Sequence, residues 1–192
     1  ASHPGAADQP LNILSRTTLR ELLWLSLPMV VSQGSFAVML FTDRWFMSFL
    51  DATHIAATMG GGVAFAFCLS LFMGVITYAN ALVAQYYGAG ALAKCPLVVS
   101  QGLLLATACI PPLLLTGYFG GRVFSYLGHD PAQVRLETVY FQLLMTGSFF
   151  NLVKACLASY FAGIGRTRVV MISDVLAVAL NIPLCWILVF GK

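Results

Sequence analysis

Asp43, Lys154 and Asp174 are ionisable side chains set well inside largely apolar stretches of the chain, and Asn181 is a further polar intruder. A charge near the centre of a bilayer costs roughly 2.5–3.5 kcal/mol on insertion scales, so residues of this kind turn into a helical bundle and mark ion or proton pathways. Asp174, Asn181 and Cys185 are spaced by seven and four and form one helical stripe. Ser32, Phe36, Met39 and Asp43 form a comparable stripe earlier in the chain. Facing one another, the two stripes would gather a carboxylate, an amide and several hydroxyls in one dry pocket. There a carboxylate can take up and release a proton as helix packing changes.

Depth sorts these groups. At about 1.5 Å per residue from the N-terminal side of the membrane, Lys154 lies ~12 Å and Asp174 ~8 Å deep, close enough for an intramembrane ion pair. By the same count Asn181 reaches ~18 Å and Cys185 ~24 Å, the level expected of Asp43. Asp43 therefore groups with Asn181 and Cys185, and Asp174 stands apart with Lys154 or as a further member of the coupling set. Pro28, fifteen residues before Asp43, removes a backbone hydrogen bond and disturbs the preceding turn. It is either a static kink or a hinge governed by the charge state of Asp43.

The elements that position these residues are five apolar runs, 22–50, 55–87, 97–119, 136–162 and 169–190. Each meets the ~20 residues that a helix needs to cross the hydrocarbon core. The fold class is therefore all-α, a polytopic membrane bundle of five long transmembrane helices whose main partner is the lipid bilayer. The composition agrees: 59% hydrophobic and 9% charged, against about 25% charged in ordinary globular domains. A net charge of +3, carried by loop residues, indicates membrane topology and no nucleic-acid partner. The five cysteines include no CxxC pair and read as small buried hydrophobes.

Residues 1–18 read as a flexible cytoplasmic leader, and 19–192 as the membrane unit. Arg16, Arg20, Lys94, Arg166 and Arg168 gather on the side of the N-terminus, which favours a cytoplasmic start. Trp24, Trp45, Trp186, Tyr86, Tyr87, Tyr118 and Tyr126 fall near run ends, where aromatic rings anchor at the interface. Phe36 and Met39, with neighbouring Met and Phe residues, are candidates for an adaptable apolar cavity wall; core packing explains them equally.

Several segments resemble one family in order and spacing. Ser26-Leu-Pro28 with Phe41-Thr-Asp43, then Ala84-Gln85-Tyr-Tyr-Gly88-Ala-Gly90, Gly163-Ile-Gly165-Arg166-Thr167-Arg168 and Asn181-Ile-Pro183-Leu-Cys185 resemble the MATE (multidrug and toxic compound extrusion) transporters across about residues 19–192. The resemblance implies a twelve-helix antiporter of two six-helix lobes about a cleft, in a bacterial inner membrane. This chain is then the N-terminal lobe without its sixth helix, and the second lobe is its partner. It also implies a proton or cation site at the acid matched by Asp43, a bend at the proline matched by Pro28, and an amide matched by Asn181. Four residues on, the family carries Asn or Asp where this chain has Cys185. Sodium requires several oxygen ligands, so the expectation is H+ rather than Na+, with Na+ at Asp43 and Asn181 as the other reading, and no cofactor.

The leading functional reading is export of organic, often cationic, compounds by exchange. A lipid-linked oligosaccharide flippase of the same superfamily would need several cations in its cavity, and only Lys154 and Arg44 are available. An enzyme is disfavoured, because neither HExxH nor GxSxG occurs and no helical face pairs two acids. A non-transport membrane protein would not need Asp43 and Asn181 within the bilayer.

Overall fold

The computed structural model describes residues 16–191. Seven α-helices follow in order: α1 (Arg16–Met47), α2 (Ala52–Thr77), α3 (Ala79–Gly88), α4 (Cys95–Ala108), α5 (Ile110–Gly120), α6 (Pro131–Gly163) and α7 (Thr167–Phe190). Short 3-10 turns at Leu92–Lys94 and Gly121–Tyr126 extend α4 and α5. α2 runs into α3 and α4 into α5, so the helices build five spans long and apolar enough to cross a membrane. Most of the expected leader lies outside the described residues, and 16–18 belong to α1 rather than to a leader.

Helix boundaries depart from the apolar runs where polar caps extend them. Asp51 accepts a hydrogen bond from the Ala52 amide, so α2 starts ahead of residue 55 and takes in His54. Asp130 caps the Ala132 amide and Pro131 occupies the first turn, which moves the start of α6 ahead of residue 136. The third span is interrupted between α4 and α5 because Pro111 and Pro112 have no amide hydrogen to donate.

α6 is the spine. Its buried residues Glu137, Phe141, Met145, Ser148, Leu152, Cys156 and Ser159 recur every three or four positions, which defines one seam along the helix. α2 lies along this seam over the most extensive contact in the molecule, and α3, α4 and α5 pack on the same helix. Close approach depends on glycine. A Cβ at Gly60 would stand 2.5 Å from the Glu137 carboxylate, and one at Gly163 would stand 2.8 Å from Val83 and 2.9 Å from the Asn80 carbonyl oxygen. Without hydrophobic pressure between helices in lipid, such small-residue contacts supply much of the packing.

The second extensive contact joins α1 to α7. Its register is constant: Ser32 meets Asp174 and Asp43 meets Cys185, a separation of 142 residues in both cases. A fixed offset means that α1 and α7 run parallel. Two aromatic clusters mark the ends of the pair. The Arg168 guanidinium lies 4.0 Å over the Trp24 ring at one end, and Phe190 packs against Phe46 and Phe49 at the other.

Candidate ion-coupling site

The two polar contacts between α1 and α7 are eleven residues apart on each helix, or about three turns and some 16 Å. They form two separate sites on one face. The single pocket expected from the facing stripes is therefore divided: Ser32 serves Asp174, and Asp43 stands with the end of α7.

In the site nearer the C-terminal ends of α1 and α7, the Cys185 thiol donates to Asp43 Oδ1 at 3.1 Å. Asp43 is partly buried. Asn181 lies one helical turn before Cys185 on α7. Its Oδ1 is buried without a partner. Pro183 lies between Asn181 and Cys185 inside α7; lacking an amide hydrogen, it frees the carbonyl of Ala179. Tyr140 of α6 lies within electrostatic reach of Asp43 and of the neighbouring Arg44. The observed contact of this site is thus a carboxylate facing a thiol, with an amide one turn earlier on α7.

The other site, nearer the start of α7, holds the second acid. Lys154 Nζ lies 2.7 Å from Asp174 Oδ1, and the Ser32 hydroxyl donates to Oδ2. Asp174 is nearly covered, whereas the Lys154 side chain is 60% exposed. Both face a cavity of about 380 Å³ between α1, α2, α3, α6 and α7, with Gln33, Asn80 and Asn151 also on its wall. Phe36 and Met39 do not line this cavity, and Phe36 is largely exposed on α1. The methionines that do are Met29 and Met73. Pro28 is buried on α1, one turn beyond Trp24 and one turn before Ser32.

One buried acid escapes a reading by span. Glu137 is fully buried, accepts from Gln133 Nε2 at 2.8 Å and lies 3.0 Å from His129 Nδ1. It sits at the edge of an apolar run, where a carboxylate passes for an interfacial residue. Two signals pointed to it: Gly60-Gly-Gly62 on the opposing helix, and the spacing of four that places Gln133 and Glu137 on one face.

With this geometry established, comparison with known proteins is decisive on family. A sequence profile of the MatE family matches residues 28–187. The chain belongs to the MatE family. Similar relatives include the multidrug resistance protein NorM of Photobacterium profundum, 27% identical over 92% of this chain and 39% of that protein. The probable multidrug resistance protein NorM of Neisseria meningitidis is 28% identical, over 91% and 38% respectively. Among solved structures, a MOP superfamily transporter from Pyrococcus furiosus Vc1 superposes with a TM-score of 0.79 at 20% identity, over 90% of this chain and 38% of that one. That transporter is described as having a binding pocket of reverse polarity that suggests a different function. This MatE chain spans about two fifths of the length of the relatives it matches. Its fold is that of the Pyrococcus transporter, an all-α polytopic membrane bundle, and these relatives are named as multidrug resistance proteins.

Proposed function

We propose that this chain is the N-terminal lobe of a secondary antiporter that extrudes organic compounds, coupled to inward proton movement through Asp43. The observation that carries the reading is the partly buried Asp43 carboxylate, joined across the α1–α7 contact to the Cys185 thiol. Binding a proton removes the negative charge that this thiol donates to and changes how the two helices hold one another. A charge that crosses between two helix arrangements in this way is the physical requirement for coupling.

The donor set favours H+ over Na+. Sodium binds hard oxygen ligands, and here a sulfur occupies the place nearest the carboxylate. The unpartnered Asn181 oxygen is one candidate sodium ligand, but alone with Asp43 it leaves a coordination shell far from complete. The family lends no enzymatic step to the reading. The N-terminus is placed on the cytoplasmic side of a bacterial inner membrane, in keeping with Arg20, Lys94, Arg166 and Arg168 on that side. A second, similar lobe in the same polypeptide would complete the cleft. The flippase alternative calls for several cations on the cavity wall, and Lys154 is the one cation on that wall among the described residues.

The test is efflux of a cationic dye from vesicles containing the full-length protein, under an imposed pH gradient or an imposed sodium gradient. Asp43→Asn is expected to abolish pH-driven efflux while leaving membrane insertion and thermal stability unchanged. Dye extrusion driven by sodium alone, or normal extrusion by the Asn variant, would overturn the reading.

A further inference from the structure

We infer that the cavity lined by Lys154 and Asp174 is a substrate subsite for amphipathic solutes bearing a carboxylate, with Lys154 as the recognising cation. The inference rests on the transport reading above and adds to it a substrate class that the charge of the coupling acid does not suggest.

Accessibility decides the sign. The charged residues on the cavity wall are Lys154 and Asp174. Asp174 is held from two sides, by Lys154 at Oδ1 and Ser32 at Oδ2, and its side chain is only 13% exposed. A solute cation reaching it would have to displace the ammonium and leave that charge uncompensated among apolar helices. Lys154 is the reverse case. Its side chain is 60% exposed, and its approach to Oδ1 is short yet too poorly angled to make a hydrogen bond. An ammonium has three N–H donors and no acceptor, so donors remain free to face the cavity.

The surrounding wall suits an anion with an apolar body. Asn151 lies one helical turn before Lys154 on α6, and Asn80 and Gln33 approach from α3 and α1; each amide supplies two N–H donors. Met29 and Met73 offer flexible, polarisable surface to the remainder of the molecule. At about 380 Å³ the cavity is at the small end of the range for drug-sized ligands. When a carboxylate engages Lys154, the Lys154–Asp174 attraction is shared with the solute. Because Asp174 also ties α7 to Ser32 on α1, occupancy is felt at the same helix pair that carries Asp43.

The experiment uses the full-length protein in phosphatidylcholine nanodiscs and three probes with one naphthyl body: 2-naphthylacetate, 2-naphthylacetamide and (2-naphthylmethyl)trimethylammonium. Equilibrium dialysis is expected to rank the carboxylate about tenfold tighter than the cation, the scale of one charge-assisted hydrogen bond. Lys154→Gln is expected to erase that preference and Lys154→Arg to retain it. Should Lys154→Gln fail to fold with Asp174 unpaired, the Lys154→Gln/Asp174→Asn double variant removes both charges and is expected to erase the preference equally. Tighter binding of the cation, or a preference unchanged when Lys154 is neutralised, would overturn the assignment. Asp43→Asn separates the two readings. Its expected result is intact carboxylate preference with pH-driven efflux lost; normal efflux in that variant would remove the coupling reading and leave the subsite standing. Loss of the preference in Asp43→Asn with Lys154 intact would count against a subsite centred on Lys154.

Discussion

α2–α6 and α1–α7 are the two most extensive helix contacts of the molecule, and they are built on opposite principles. Between α2 and α6 the seam is closed: Phe141, Met145 and Leu152 are fully or almost fully buried, and glycines bring the backbones together. Its acid, Glu137, is enclosed with partners. Between α1 and α7 most side chains are exposed, and among the described residues of α7 only Thr167 is buried. That contact is held by an aromatic cluster at each end and by polar bonds between them, each of which involves an ionisable side chain. Tight apolar packing has one arrangement and resists change. A contact fastened by ionisable groups can be loosened by a single proton, so the ion-coupling chemistry falls on the looser pair.

The largest expected effect tests the closed side. Gly60→Val places a branched side chain on α2 where even a Cβ stands 2.5 Å from the buried, hydrogen-bonded Glu137 carboxylate of α6. Overpacking of this kind costs about 1–3 kcal/mol or more when backbone must move. Thermal unfolding in detergent should show a drop of several degrees and a poor yield of folded protein. The matched change on the open side is Gly34→Ala, where nothing lies within 4 Å of the added Cβ. There the helix should gain up to about 1 kcal/mol from alanine's propensity. Equal destabilisation by both substitutions would erase the distinction between the two contacts.

How much of this was legible in the chain follows from the same distinction. Helix type and span number are written in uninterrupted hydrophobic runs, because lipid demands that every backbone group be satisfied internally. The separation of Asp174 from Asp43 was legible too, since depth along a helix is a matter of counting residues. Which residue on α1 meets which on α7 was not. Ser32 and Asp43 share a stripe, and only the parallel register reveals that each finds a different partner. The wall of the cavity was less legible: Phe36 is exposed on α1 and does not line it, whereas Asn80 and Asn151, both well inside apolar runs, do. Glu137 was missed because burial at the end of a span depends on the opposing helix, which hydropathy along one helix does not report.

The open side should be chemically tunable without loss of fold, and Cys185→Asn tests that. The substitution puts an amide in place of the thiol beside Asp43 Oδ1. An oxygen then stands where a sulfur was, a donor that a hard cation accepts more readily. Efflux under a sodium gradient at equal pH on both sides should rise above that of the unmodified protein, with thermal stability little changed. An absence of any sodium response would mean that the ion selectivity of this site is set by groups other than Cys185.

Pro28 offers the smallest and most specific effect. It lies between two fastened points of α1, the Trp24 ring under Arg168 and the Ser32 hydroxyl on Asp174. Bending at Pro28 therefore turns the distal part of α1, including Asp43, against a fixed base. Pro28→Ala restores one backbone hydrogen bond, worth about 0.5–1.5 kcal/mol, and removes the clash with the preceding turn. If the proline is a hinge, the variant should bind ligand normally and unfold slightly later, while efflux turnover falls a few-fold because α1 bends less readily. If it is a static kink, turnover should follow stability and stay the same or improve. Measuring both quantities on one preparation separates the outcomes, since a merely structural proline has no means of lowering turnover while raising the unfolding temperature.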